Sequence, residues 1–156
     1  MIRKFQKEDI EALTSILQET RVFNPNEIDV AVELMQVAAG DPHQKDYILY
    51  TFVEEPGIVR GYYCMGHTPM TVSTYDLYWI AVDLSCHGKG IGKQLLLHCE
   101  ELAKSKGGTL IIAETSSLPK YENTRMFYLK NNYTEASRIR DFYSPGDGLV
   151  VYCKYL

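Results

Sequence analysis

The spacing of apolar positions changes several times along the chain, and each change marks an element. Ile2 to Phe5 alternates, as a short half-buried strand does. Ile10, Leu13, Ile16 and Leu17 then recur at helical spacing and predict a first helix with one buried face. Asn24-Pro25-Asn26-Glu27 carries the start signals of a second helix. Asn24 can cap it, Pro25 suits the first turn, and Glu27 can close a capping box. Ile28, Val32, Met35 and Ala38 follow at helical spacing, and Gly40-Asp41-Pro42 ends the run. Three strand-like runs come next, over residues 47–54, 58–67 and 74–82. The turn residues Glu55-Pro56-Gly57 separate the first two and predict an antiparallel hairpin. The third run contains YDLYWIAV, rich in aromatic and β-branched residues as a central strand should be.

A glycine-rich stretch, CHGKGIGKQLL (residues 86–96), follows that strand and opens a helix reaching Lys106. Ile91, Leu95, Cys99 and Leu102 form its apolar face, and Gly107-Gly108 stops it. TLIIAE (109–114) reads as another buried strand. Two strands joined through a helix form a βαβ unit, so this pair should be parallel. A further helix is expected over 121–130, ended by Asn131-Asn132, and two last strands flank the turn SPGDG (144–148). The order β-α-α-β-β-β-α-β-α-β-β describes an α/β chain with helices packed on a mixed sheet. A single domain over residues 1–156 is expected, with no repeat or low-complexity linker.

Composition narrows the function classes. The 156 residues are 46% apolar and 23% charged, an ordinary globular balance, and the formal net charge is −4 at pH 7. An acidic balance lacks the basic footprint of a nucleic-acid binder. No apolar run approaches the roughly 18 residues that a membrane span requires. The opening MIRKFQKEDIEAL is amphipathic and has no secretory signal pattern, so a cytoplasmic location is expected. Cys64, Cys86, Cys99 and Cys153 are scattered without a C-x-x-C pair, so buried thiols are expected. Cys86-His87 has no second pair at ligand spacing, and no metal is expected.

The chemistry concentrates at Gly88, Gly90 and Gly92, interleaved with Lys89 and Lys93. A helix N-terminus presents unpaired N–H groups and a partial positive charge, and glycines before it let a phosphate approach the backbone. Register decides which phosphate site this is. A Walker A loop fails twice, with His87 where its first glycine belongs and Gln94 where Ser or Thr belongs. A dinucleotide fingerprint fails too: counted from Gly88 its last glycine falls on Lys93, and counted from Gly90 on Leu95.

The run His87-Gly88-Lys89-Gly90-Ile91-Gly92 resembles the [QR]-x-x-G-x-[GA] loop of the GNAT superfamily of N-acetyltransferases, with His87 in the Gln or Arg position. ENTRMFYLKNNY (122–133) is similar to the family's second motif, N-x-x-x-x-[FY][YF]-x-x-x-G-[FY]. Tyr128 falls on its second aromatic and Asn132 takes the place of its glycine, while Asn123, the candidate for its Asn, stands one residue after that position, which Glu122 occupies. The element order above is also the family's. The resemblance implies a mixed, mostly antiparallel sheet of about seven strands with a central parallel pair.

It implies acetyl-CoA as the acetyl donor, with the pyrophosphate on His87, Gly88, Lys89, Gly90, Ile91, Gly92 and Lys93. The pantetheine arm would pair with Ile80, Ala81 and Val82 where strands four and five splay, and Asn123 would add a contact. The implied reaction is direct acetyl transfer to a primary amine of a small molecule or peptide. Tyr128 would protonate the departing thiolate; read by spacing alone, its position is rather that of a core residue beside Phe127. Glu114 and Asp76 are the candidate bases, with Asp141 a third carboxylate. Phe23, Tyr62, Tyr78, Phe142 and Tyr143 are candidates for the acceptor pocket. The final strand is a candidate for pairing in a homodimer. Two other readings stay open at this point, a CoA-binding module without catalysis and a nucleotide-dependent enzyme using the same turn.

Overall fold

A computed structural model describes residues 1–55 and 57–156. The hairpin turn expected at Glu55-Pro56-Gly57 includes Pro56, which lies outside the described residues. The strands are β1 (Ile2–Lys4), β2 (Ile48–Glu54), β3 (Ile58–His67), β4 (Thr74–Val82), β5 (Leu110–Ser116), β6 (Thr134–Ser144) and β7 (Asp147–Tyr155). The helices are α1 (Asp9–Glu19), α2 (Pro25–Gly40), α3 (Ile91–Ser105) and α4 (Glu122–Lys130). The strands form a seven-stranded sheet in the order β1-β2-β3-β4-β5-β7-β6. β4 and β5 are parallel, and β1–β2, β2–β3, β5–β7 and β6–β7 are antiparallel. Among the described residues, no helix is long and apolar enough to cross a membrane.

The chain divides into two compact units. The first comprises Met1–Gly66 and Tyr78–Glu101, and the second His67–Leu77 and Leu102–Leu156. In the first unit the strict alternation of β3 sorts its side chains between two helical layers. Tyr62 and Cys64 join Leu13, Leu17, Ala31 and Met35 in the core under α1 and α2. Tyr63 and Met65 turn the other way, toward His98 and Cys99 of α3. The start of α2 follows its sequence signals. Asn24 Oδ1 accepts from the Glu27 N–H at 2.9 Å, and Glu27 Oε2 accepts from the Asn24 N–H at 2.6 Å. In the second unit, Tyr128 of α4 packs against Tyr133 and Tyr152. Asn132 ends the α4 segment in the left-handed region (φ 66°), the role its sequence position predicts.

Two features escape the hydrophobic pattern. β7 inserts between β5 and β6, a non-local pairing that no local period encodes. β5 runs two residues past Glu114 because Thr115 and Ser116 pair with Val150 and Leu149 of β7. The parallel ladder covers Thr74–Leu77 of β4 against Leu110–Ala113 of β5, although β4 continues to Val82.

Candidate active site

The glycine stretch forms a concave main-chain surface at the start of α3. Gly88 and Gly90 have φ of 79° and 78°, so left-handed residues alternate with ordinary ones through the loop. Such alternation turns successive N–H groups toward one point, an anion-binding nest. A Cβ at either glycine would meet no atom within 4 Å, so the backbone conformation rather than crowding selects glycine there. The first helical bond of α3 runs from the Gln94 N–H to the Gly90 carbonyl at 3.0 Å. The N–H groups of Gly90, Ile91, Gly92 and Lys93 precede it and have no carbonyl acceptor among the described residues; the same holds for Gly88. Lys89 differs: its N–H donates to the Cys86 carbonyl at 3.2 Å, which leaves its ammonium as the group it can offer. Residues 87–90 are exposed.

The loop is braced from β3 and β4. Asp83 accepts from the Ser85 N–H at 2.8 Å and from Arg60 Nη1 at 2.8 Å, and Arg60 Nε reaches Glu54 at 2.8 Å. Burial alone would raise the Asp83 carboxyl, but Ser85 and Arg60 hold it below the usual carboxylate range. The His87 N–H is engaged by the Leu84 carbonyl at 3.1 Å, and its Nε2 lies 3.0 Å from the Val82 carbonyl oxygen. His87 thus ties the loop to the end of β4, next to the main chain of Ile80, Ala81 and Val82. Gly61 of β3 lets that main chain come close. A Cβ there would lie 2.5 Å from the Ala81 carbonyl oxygen and 3.3 Å from a Leu95 methyl.

In the second unit, Asp76 and Glu114 share one face of the sheet. Asp76 is opposite Ile112 in the parallel ladder, and Glu114 is two residues beyond Ile112. Burial pushes the Glu114 carboxyl up, and the neighbouring Asp76 charge pushes it further. Asp76 is also raised by burial, against the opposing pull of Thr68 and His67. Tyr128 stands on the other face. Its ring stacks on Tyr152 with centroids 5.5 Å apart, and Tyr152 is the register partner of Ala113, which points away from Glu114. Asn123 is exposed at the start of α4 while Tyr128 is buried, since five residues turn the helix by about 140° beyond a full revolution.

The structure therefore brings Asp76 and Glu114 together, keeps Tyr128 on the opposite face, and gathers main-chain N–H groups at the α3 N-terminus. Among the aromatic candidates, Tyr62 is sealed in the core at 1% exposure, whereas Phe142 and Tyr143 are exposed. Asp141 has φ 56° and accepts from the Gly146 N–H at 2.8 Å, which accounts for it as a hairpin-tip residue. Sequence reasoning missed Arg60, Gly61 and Arg125. A lone glycine inside a strand pattern signals close backbone approach, so Gly61 was open to discovery. No local signal marks the partners of the two arginines.

The family model for the acetyltransferase (GNAT) domain matches residues 45–135, a segment holding the glycine loop, Asp76, Glu114 and Tyr128. The chain belongs to the GNAT family of acetyltransferases. A Desulfovibrio desulfuricans protein assigned to the GNAT family is 33% identical, with a TM-score of 0.92 over 99% of this chain and 98% of that one. An N-acetyltransferase from Staphylococcus aureus Mu50 is 25% identical, with a TM-score of 0.74 over 99% and 97% of the two chains. An aminoglycoside 6'-N-acetyltransferase complexed with coenzyme A shares the fold at 16% identity, with a TM-score of 0.77 over 99% and 96%. No curated protein matches in sequence. As a GNAT chain, this protein is an acyltransferase. The matched segment leaves β1, α1, α2 and β7 outside it.

Proposed function

We propose that the protein transfers the acetyl group of acetyl-CoA directly to a primary amine. The observation that carries this reading is the nest at Gly88–Lys93, whose free N–H groups, helix dipole and lysines suit a pyrophosphate. Membership of an acetyltransferase family makes acetyl-CoA the donor that fits. Gly88, Gly90, Ile91, Gly92 and Lys93 hold the pyrophosphate end through main-chain N–H groups, Lys89 acts through its side chain, and His87 keeps the loop in place through Leu84 and Val82. Ile80, Ala81 and Val82 supply main-chain groups for the pantetheine amides, as an edge strand does for a peptide. Asn123, exposed at the start of α4, adds a polar contact to the donor.

The acceptor nitrogen attacks the thioester carbonyl, the carbon–sulfur bond breaks, and the thiolate takes a proton from the Tyr128 hydroxyl. The amine must be neutral to attack. Glu114, or Asp76 beside it, takes its proton. A carboxyl raised by burial and by a like charge is better matched to that work than an ordinary one. The amine class of acceptor also agrees with similar structures named for N-acetylation of aminoglycosides.

Thiol release from acetyl-CoA in the presence of butylamine, phenethylamine, spermidine and alanine amide tests the reading. At least one amine should raise release above the rate with water alone. Tyr128→Phe should lower that rate about tenfold or more while acetyl-CoA binding is kept. Unchanged turnover in Tyr128→Phe would remove Tyr128 from the reaction.

A further inference from the structure

Arg125 lies on α4, three residues before Tyr128 and therefore on a neighbouring part of the same helical face. Its Nη1 donates to the carbonyl oxygen of Ser116, the last residue of β5, at 2.8 Å and to that of Leu118, two residues beyond the strand, at 2.9 Å. The segment that receives it is itself held. The Ser116 hydroxyl donates to Asp147 and accepts from the Leu118 N–H at 3.0 Å. Ser117 exchanges bonds with Gly148, its N–H donating at 2.8 Å and its Oγ accepting at 2.7 Å.

Helix α4 needs such support. It has nine residues, and its N-cap position, Tyr121, makes no side-chain capping bond. A helix this short is marginal on its own, so tertiary ties decide where its side chains stand. Most carbonyls at a strand end are solvated or paired with backbone. Here one guanidinium nitrogen bridges two of them, and its charge also bears on the phenol of Tyr152, the ring on which Tyr128 stacks.

We infer that Arg125 is a positioning residue for acetyl transfer: by bridging the Ser116 and Leu118 carbonyls it fixes α4 on the end of β5 and so sets where the Tyr128 hydroxyl meets the leaving thiolate. The inference rests on the proposed role of Tyr128. It explains why the guanidinium is turned to main-chain carbonyls. A lysine at 125 would keep the charge but replace the rigid, planar –NH2 group with a more strongly hydrated ammonium on a flexible stem, so it would bridge the two carbonyls less well.

A double-mutant cycle on thiol release from acetyl-CoA, with the same four amines as acceptors, tests it. Arg125→Gln should lower kcat about tenfold or more, since small misplacements of a reacting group carry penalties of that order. KM for acetyl-CoA should stay within about threefold of the parent value, and Arg125→Lys should recover only part of the loss. In the Tyr128→Phe background, Arg125→Gln should cause little further loss, because the group it positions is gone. Melting temperatures, and Arg125→Lys as the milder change, separate positioning from failure to fold. Full multiplicative losses in the double variant, or a parent-like kcat in Arg125→Gln, would overturn the inference and leave the Tyr128 reading standing. A parent-like rate in Tyr128→Phe alone would overturn the reading on which it rests.

Discussion

Glu114 and Asp76 show how much of a residue's chemistry comes from where its strand places it. Each is a candidate base in the sequence, and only the parallel register puts both on one face. Both are raised, Glu114 by burial and by Asp76, Asp76 chiefly by burial. The folded state therefore holds protons that the unfolded state has already released, and stability falls as pH rises from the ordinary carboxylate range through the raised values. Glu114→Gln should accordingly raise the melting temperature at pH 8, and the gain should shrink as pH falls and vanish near pH 4. Thermal melts across that range read it directly; a gain independent of pH would mean that ionisation of the pair plays no part. At this scale the sequence was informative where a residue type is nearly dictated, as at Gly88 and Gly90 with their positive φ. It was silent where the type is common and the partner distant, as for Arg125 and the Ser116 carbonyl.

Elements were legible wherever a period and a stop signal coincide. β3 and β4 fall on the residues expected, and α2 begins at Pro25 behind the Asn24–Glu27 capping box. Asn24→Ala removes the acceptor of the Glu27 N–H and should cost about 1 kcal/mol of stability by chemical denaturation, with Asn24→Ser near the parent value. A loss of the same size in Asn24→Ser would point to something other than the cap. The short turns at Leu84–Cys86 and Pro119–Tyr121 were not foreseen, since three residues carry no period. One leads into the glycine loop and the other into α4. Asp83, which caps the first, shows its role only once Arg60 and Ser85 are seen around it.

For the whole molecule, the order of elements was readable and the order of strands was not. β5-β7-β6 depends on a long-range pairing, and the hydrophobic pattern reports burial without naming the neighbour. The glycine loop at the start of α3 was also readable, since its glycines and the helix start stand in fixed register. The candidate acceptor pocket was not. Tyr62, an expected lining residue, is core, and the exposed aromatics Phe142 and Tyr143 belong to a hairpin whose sequence carries no recognised motif. The segment matched by the family model likewise ends at residue 135, before most of that hairpin.

The central claim is that the nest at Gly88–Lys93 binds acetyl-CoA. Melting temperature measured against rising acetyl-CoA tests it most directly, because a ligand held only by the folded state stabilises it by about 2.7 kcal/mol at one hundred times Kd. A rise that saturates with acetyl-CoA and with CoA, and does not occur with NAD or ATP, is expected. In Gly90→Asp, whose carboxylate would face the pyrophosphate from a residue forced to positive φ, the rise should be lost. No rise with acetyl-CoA, or an equal rise in Gly90→Asp, would contradict it.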